Sequence, residues 1–166
     1  VITPPVAPVF LFDEFTALIF LSGIKPNLKN DIESFNQNTR MTVNLCKILE
    51  KKPVKKIIYF SSASVYGEDI NNTEICEDTP VNPRSYYGIS KYVSERLIWK
   101  IASQININLT LLRPPVIYGP MEKEITYTPS GFLRSSLLNK EIIIWGKGEE
   151  LREFIYINDI SFIINH

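Results

Sequence analysis

The sequence is poor in cysteine and histidine and has no excess of charge of either sign. Its 166 residues include two cysteines and one histidine, and 18 lysines and arginines balance 18 aspartates and glutamates. Cys46 and Cys76 are too few for a disulfide scaffold, and the lone His166 argues against a Ser-His-Asp triad or a histidine metal site. Because the balanced charge argues against nucleic acid as a partner, we expect the partners to be small molecules or other proteins. We expect no bound metal.

Long apolar runs are missing as well. No stretch approaches the roughly 20 apolar residues that cross a bilayer, and the N-terminus lacks the pattern of a secretory leader. The expectation is therefore a chain without membrane association, located in the reducing cytoplasm. With 45% hydrophobic residues, the chain still has enough apolar material for a globular core.

What the sequence does contain is an alternation of short apolar runs and longer amphipathic segments. The runs at 16–22, 55–62 and 107–113 are rich in Ile, Leu, Phe and Tyr, which is typical of strands buried on both faces. The segments 32–52 and 85–102 repeat apolar and small residues at steps of three and four, which predicts helices. The alternation predicts an α/β fold in which a parallel sheet carries helices on its faces.

The pattern is looser after residue 114. The sequence there predicts a loop at Pro114, Pro115 and Pro120, a helix at 130–140, and two short strands at 141–145 and 153–157. We therefore predict two regions, 1–120 and 121–166, with the second as an elaboration beside the sheet.

Hydroxyl side chains cluster after the second predicted strand, at Ser61, Ser62 and Ser64. Ligands of α/β proteins bind beyond the carboxyl ends of the strands, so these hydroxyls lie where chemistry is expected. Tyr87 and Lys91 are four residues apart on the next predicted helix and share one face, where an ammonium stabilises a phenolate and lowers its pKa. Such a set suits proton transfer to or from a carbinol whose hydride goes to a nicotinamide.

A Tyr-x-x-x-Lys pair by itself is a weak signal, since it is often a core-edge aromatic beside a solvated lysine. In this chain the pair follows a strand-terminal serine cluster and precedes a further strand that ends in LLRPPVIYGP. That context favours the catalytic interpretation.

The stretches FSSASVYG, YYGISK, LRPPVIYGP and GKGEELREFIYINDI, in this order, resemble the extended short-chain dehydrogenase/reductase family, in its nucleotide-sugar epimerase and dehydratase branch. The resemblance runs from about Ala17 to the end of the chain. It implies a partial Rossmann-type parallel sheet with helices on both faces, with 1–120 as part of the dinucleotide-binding domain and 121–166 as an incomplete substrate-side region. The implied cofactor is NAD, with NADP as the alternative, and the implied substrate is a nucleotide-diphosphate sugar.

The resemblance also implies roles for individual residues. Ser62 would orient the substrate, Tyr87 would be the acid/base, and Lys91 would lower the pKa of that tyrosine and hold the nicotinamide ribose. The residues implied along the cofactor are Leu21, Ser22, Gly23, Lys25, Asn38 (with Gln37 as the alternative), Ser61, Tyr87, Lys91, Pro114, Pro115 and Val116. The residues implied along the substrate are Ser62, Ser64 and Arg152, the last through the diphosphate. A homodimer formed through helices is a further expectation from the family.

The residues alone favour simpler roles for some of these positions. Without the resemblance, Lys25, Asn38 and Arg152 would be interpreted as surface or structural residues. Asp159 is interpreted as a helix N-cap, since aspartate caps helices well.

The clearest departure from the family is a missing glycine-rich turn. The chain has seven glycines, and none forms the G-x-x-G-x-x-G that follows the first strand in the family and binds the cofactor pyrophosphate. We therefore interpret the chain as an internal portion of a longer protein. The alternative is a non-catalytic relic or interaction module that binds no dinucleotide.

A second departure narrows the chemistry. Sugar-nucleotide 4,6-dehydratases carry an Asp-Glu pair directly after the catalytic hydroxyl residue, where this chain has Ala63 and Ser64. Because elimination by that route lacks its residues, the predicted function is an epimerase of the UDP-glucose 4-epimerase kind. A nucleotide-sugar reductase or decarboxylase is the alternative within the family.

Overall fold

The computed structural model describes residues 17–67, 74–120, 122, 129–144, 147–148 and 151–165. These residues fall into two compact units, one within Val1–Arg113 and one within Pro114–His166. The proline-rich opening at 1–8, Trp145 and His166 lie outside the described residues. The boundary predicted at residue 120, between a cofactor-binding and a substrate-side region, stays a prediction. The boundary between the two compact units follows Arg113.

The first unit is a parallel sheet with two long helices. Its elements are β1 (Ala17–Phe20), α1 (Ile32–Lys51), β2 (Lys56–Phe60), a 3₁₀ turn (Ala63–Tyr66), α2 (Tyr86–Gln104) and β3 (Asn108–Leu112). The strand order is β1-β2-β3, and both pairings are parallel, with Leu18 opposite Ile57 and Ile57 opposite Leu109. The predicted α/β fold, a parallel sheet with helices of the Rossmann type, is confirmed.

Residues at the helix ends determine where α1 and α2 begin and where α1 ends. Asp31 caps α1 in a capping box with Ser34, and the helix stops just before Pro53, which disfavours a helical residue ahead of it. Ser85 caps α2 by accepting a hydrogen bond from the Gly88 amide at 3.0 Å. After α2 the chain turns through Asn106, whose φ of 57° is left-handed and suits asparagine.

The core of this unit lies between the sheet and the two helices. Leu49 of α1, Ile98 of α2 and Ile57 of β2 are completely buried there, and Tyr59 is almost completely buried. Because the two helices pack against the same strand face, they also contact each other along their length. Each buried aliphatic side chain contributes about 1.5–3 kcal/mol to folding relative to exposure.

The helix-to-helix contact is more polar than the sequence indicated. The buried residues of α2 include Ser90, Lys91, Ser94 and Glu95, and Thr42 of α1 hydrogen-bonds Ser94 at 2.7 Å. Small hydroxyl residues let the helices approach closely while satisfying one another's polar groups.

The second unit contains β4 (Val116–Tyr118), α3 (Ser130–Leu137), β5 (Phe154–Tyr156) and α4 (Ile157–Asn165), with β4 and β5 paired in parallel. The predicted helix at 130–140 and the predicted strand at 153–157 are confirmed with shorter bounds. Three expectations are wrong. The loop expected around Pro114 to Pro120 contains β4; residues 141–144 form no strand; and Asp159 lies inside the first turn of α4 and does not cap it.

A close approach of backbone and side chain explains one glycine in this unit. A Cβ atom placed on Gly119 would lie 2.5 Å from Cγ2 of Ile157, at the start of α4. Among the described helices, none is both long and apolar enough to cross a membrane.

Candidate active site

Lys91 is a buried ammonium at the end of the central strand. The residue is only 5% exposed, and its Nζ donates a hydrogen bond to the carbonyl oxygen of Phe60 at 2.7 Å. Nζ also lies 5.1 Å from the ring centroid of Tyr59 and 5.8 Å from that of Tyr87. The lysine is therefore held at the carboxyl end of β2, where Phe60 is the last strand residue.

Burial changes the proton affinity of this lysine. Desolvation lowers the pKa of Lys91 from 10.5 to about 8, while the Glu95 carboxylate on the next turn opposes the change by favouring the charged form. A lysine with a pKa of about 8 is still largely an ammonium at neutral pH. It is thus able to stabilise a neighbouring phenolate.

Tyr87 lies one turn before Lys91, in the first turn of α2. Its backbone amide donates to Oδ1 of Asn30 at 3.1 Å, and its carbonyl accepts from the buried Ser90 hydroxyl at 2.8 Å. These two bonds fix the backbone of Tyr87 at the helix start. The half-buried ring then faces the ammonium of Lys91, which brings the predicted acid/base pair together.

The serine cluster follows β2 directly. Ser62 caps the start of the 3₁₀ turn, and its Oγ accepts from the Ser64 amide at 3.2 Å. Ser62 and Ser64 are half-buried, whereas Ser61 is only 4% exposed. The Ser61 amide continues the sheet by donating to the carbonyl of Leu112 at 2.8 Å.

The loop after β1 reaches the same region. Leu21, Ser22, Gly23 and Lys25 are exposed, and a Cβ atom placed on Gly23 would lie 3.4 Å from Nζ of Lys91. Of the loop residues predicted along the cofactor, at least Gly23 therefore lies beside Lys91.

Asn38 shapes that loop from α1. Its Oδ1 accepts from the Ile24 amide at 2.6 Å, and its Nδ2 donates to the Ile24 carbonyl at 3.2 Å and to Ser90 Oγ at 3.3 Å. The amide group is thus engaged with the protein itself. Its support of a cofactor would act through the loop, and the alternative residue, Gln37, is instead exposed and bonded to Glu33.

The remaining predicted residues belong to the second unit. Pro114, Pro115 and Val116 are half-buried, and Arg152 is exposed. Their predicted contacts with the cofactor and the substrate stay predictions.

Sequence reasoning missed a polar network beside the site. Arg113 donates to both carboxylate oxygens of Glu95, at 2.9 and 2.7 Å, and to the Tyr66 hydroxyl at 2.9 Å. The hydrogen bonds to Glu95 raise the pKa of the Arg113 guanidinium, which stays charged. The available signal was the spacing of Tyr87, Lys91 and Glu95, which places the carboxylate on the same buried helix face.

Two observations fit a nicotinamide cofactor at this edge of the sheet. The buried Oγ of Ser61 has no hydrogen-bond partner among the described residues, so a polar atom there remains to be satisfied. The Lys91 ammonium, which has three N–H donors, donates one bond to Phe60 and lies against Gly23 of an exposed loop. Serine and lysine are donors that suit the carboxamide and ribose oxygens of such a cofactor.

The chain is similar to known sugar-nucleotide enzymes over most of its length. A putative UDP-glucose 4-epimerase of Methanocaldococcus jannaschii is 32% identical over 142 residues, covering 84% of this chain and 46% of that protein. The structure of UDP-glucuronic acid 4-epimerase from Bacillus cereus in complex with NAD matches with a TM-score of 0.74 at 26% identity, covering 86% of this chain and 45% of that one. UDP-glucose 4-epimerase from Thermotoga maritima, solved with UDP-glucose, matches with a TM-score of 0.73 at 25% identity, covering 88% and 49%.

The chain therefore spans just under half the length of these relatives. The model of one family matches residues 6–165, which is nearly the whole chain. This match, together with the half-buried Tyr87 beside the buried Lys91 at the carboxyl end of a parallel sheet, shows that the chain belongs to the NAD dependent epimerase/dehydratase family.

Proposed function

We propose that the protein is an NAD-dependent nucleotide-sugar epimerase that acts by transient oxidation of a sugar hydroxyl. The observation that carries the proposal is the Lys91 ammonium, buried on the Phe60 carbonyl with the Tyr87 ring 5.8 Å away. The relatives named as UDP-glucose and UDP-glucuronate 4-epimerases support this choice within the family.

The proton steps belong to Tyr87 and Lys91. Tyr87, as the phenolate, takes the proton of a sugar hydroxyl, and the Lys91 ammonium stabilises the phenolate beforehand. The cofactor, when bound, supplies a nicotinamide that accepts the hydride from the carbinol carbon and returns it. The keto sugar then presents its other face, and the hydride returns to that face. Tyr87 gives the proton back to the oxygen, so protons and electrons balance over the cycle.

Other residues of the site have proposed roles in binding. Ser62 donates a hydrogen bond to the reacting sugar oxygen, and Ser61 and the loop Leu21 to Lys25 line the nicotinamide side. Arg152 binds the diphosphate of the substrate through its guanidinium fork. NADP as the cofactor, a homodimer and the cytoplasmic location stay predictions.

The elimination reaction of the 4,6-dehydratases has less support. Ala63 and Ser64 stand directly after Ser62, in the 3₁₀ turn, and neither side chain carries a carboxylate. Alanine and serine cannot supply the acid and base that removal of water requires at that place. Reduction and decarboxylation are distinguished from epimerisation by the product.

The test is a product analysis with a panel of UDP- and dTDP-sugars and NAD, using the protein that carries this chain. An epimer keeps the mass of the substrate, whereas dehydration and decarboxylation remove water and carbon dioxide. Tyr87→Phe should lower turnover about 100-fold or more, since general acid/base catalysis contributes that much. The matched control is Tyr86→Phe, because Tyr86 is the adjacent tyrosine and is 43% exposed. Full turnover in Tyr87→Phe would contradict the proposal.

A further inference from the structure

Three side chains from three separate segments meet beside the Tyr-Lys pair. Tyr66 ends the 3₁₀ turn, Glu95 lies on α2, and Arg113 follows β3. Arg113 Nε and Nη2 bind the two oxygens of Glu95 at 2.9 and 2.7 Å, and Nη1 donates to the Tyr66 hydroxyl at 2.9 Å. The guanidinium also lies 5.0 Å from the centroid of the Tyr66 ring.

The geometry of this cluster is rigid. The Glu95 side chain is only 2% exposed, so its charge depends on the guanidinium for compensation. A planar fork that holds both carboxylate oxygens has a fixed orientation, and its third donor direction is then fixed as well. The Tyr66 hydroxyl meets that third direction.

The cluster connects the two segments that bear the proposed chemistry. Glu95 is one turn after Lys91, which is itself one turn after Tyr87, on a single helix. Tyr66 is the last residue of the same 3₁₀ turn that Ser62 caps at its start. A displacement of the turn relative to α2 would therefore strain or break the bond between Tyr66 and Arg113 or the bonds between Arg113 and Glu95.

We propose that Glu95, Arg113 and Tyr66 are positioning residues that hold the turn bearing Ser62 against the helix face bearing Tyr87 and Lys91. The structural half of this inference stands on the contacts alone, and its catalytic half rests on the proposed function. Reaction rates depend steeply on alignment, and a shift of about 1 Å can lower a rate about 100-fold.

The test compares Tyr66→Phe with Tyr92→Phe by hydrogen exchange in the wild-type chain and both variants. Tyr66→Phe removes only the hydroxyl and keeps the ring over the guanidinium. Tyr92, half-buried on α2, has a phenol that bonds no described residue and serves as the matched control. The reporters are the amides of Val65 and Gly67, which are bonded to the Ser62 and Ser64 carbonyls within the turn.

We expect the amides of the turn to exchange about tenfold faster in Tyr66→Phe, with the exchange of the core of α2 unchanged, since one charge-assisted hydrogen bond is lost. Arg113→Lys, which keeps the charge but not the fork, should give the same result. Unchanged exchange of the turn in both variants would overturn the inference, whether or not the protein turns over any sugar.

The catalytic half has its own readout. With a nucleotide sugar that the wild-type protein converts, Tyr66→Phe should lower kcat about tenfold and leave KM within about twofold. The reason is that the substitution affects alignment and not binding. Wild-type kcat in a variant whose turn exchanges faster would overturn the positioning role. A wild-type protein without any turnover would instead refute the proposed function, while the exchange comparison would still decide whether the cluster holds the turn.

Discussion

Lys91 shows most clearly, at the scale of a single residue, how the fold prepares a side chain for chemistry. An exposed lysine would keep its ordinary proton affinity, and this one is 5% exposed with a single described carbonyl acceptor on β2. The spacing in the sequence predicted Tyr87 and Lys91, the choice of Ser62 within the serine cluster came from the family resemblance, and the structure brings Tyr87 and Lys91 together. The sequence did not predict the polar network of Glu95, because a glutamate in a helix is usually exposed to solvent and its burial is not evident from the sequence.

The pKa of Lys91 predicts a pH dependence of stability. The folded-state pKa of about 8 lies below the unfolded value of 10.5, so between these two pH values the unfolded chain binds more protons than the native chain. The free energy of unfolding of the wild type should therefore rise across this window relative to that of Lys91→Met, by on the order of 3 kcal/mol. Below pH 8 the difference between the two proteins should be constant, because both states of the wild type then hold the proton.

Urea unfolding at a series of pH values measures this difference. Lys100→Met is the control, since Lys100 is exposed on the same helix. A difference between the wild type and Lys91→Met that stays flat through the window would contradict the burial of the ammonium.

At the scale of elements, strong periodic segments were predictable and short ones were not. β2, α1 and α2 were predicted because their apolar residues repeat over many turns or form an unbroken run. β4 has only three residues and is flanked by prolines, so its pairing with β5 decides its structure. Residues 141–144 are apolar enough for a strand, but they are exposed and pair with no described strand.

The contact between α1 and the loop after β1 leads to a prediction. Asn38→Ala should lower the free energy of unfolding by about 1–3 kcal/mol, because the Ile24 amide and carbonyl both lose their partner in a half-buried place. The matched control is Asn44→Ala on the exposed side of the same helix. Chemical denaturation compares the two, and equal losses would show that the bonds to Ile24 contribute nothing specific.

At the scale of the whole molecule, two compact units carry the predicted site residues. The first unit holds the acid/base pair, the serines and the loop near Lys91, and the second holds Pro114 to Val116 and Arg152. The fold class followed from the alternation of strands and helices alone. The family followed from motifs, since composition and periodicity are shared by many α/β proteins.

The core of the first unit can be tested with two adjacent residues. Leu49 is completely buried and Ile48 is 41% exposed, so they differ in burial and little in chemistry. Leu49→Ala should lower the free energy of unfolding by about 2–5 kcal/mol, and Ile48→Ala by about 0.5 kcal/mol or less. Losses of similar size, measured by urea unfolding, would contradict the packing of α1 on the sheet.

The proposed function depends above all on Tyr87, which takes a proton from a nucleotide sugar with the help of the Lys91 ammonium while the hydride goes to NAD. The most direct measurement mixes the NAD-loaded protein that carries this chain with a nucleotide sugar that it turns over and follows the absorbance of reduced nicotinamide in a single turnover. We predict transient formation of reduced nicotinamide in the wild type and in Tyr86→Phe, and formation about 100-fold slower or more in Tyr87→Phe. Formation at an unchanged rate in Tyr87→Phe, or sugar turnover in the wild type without any reduced nicotinamide, would contradict the proposed function.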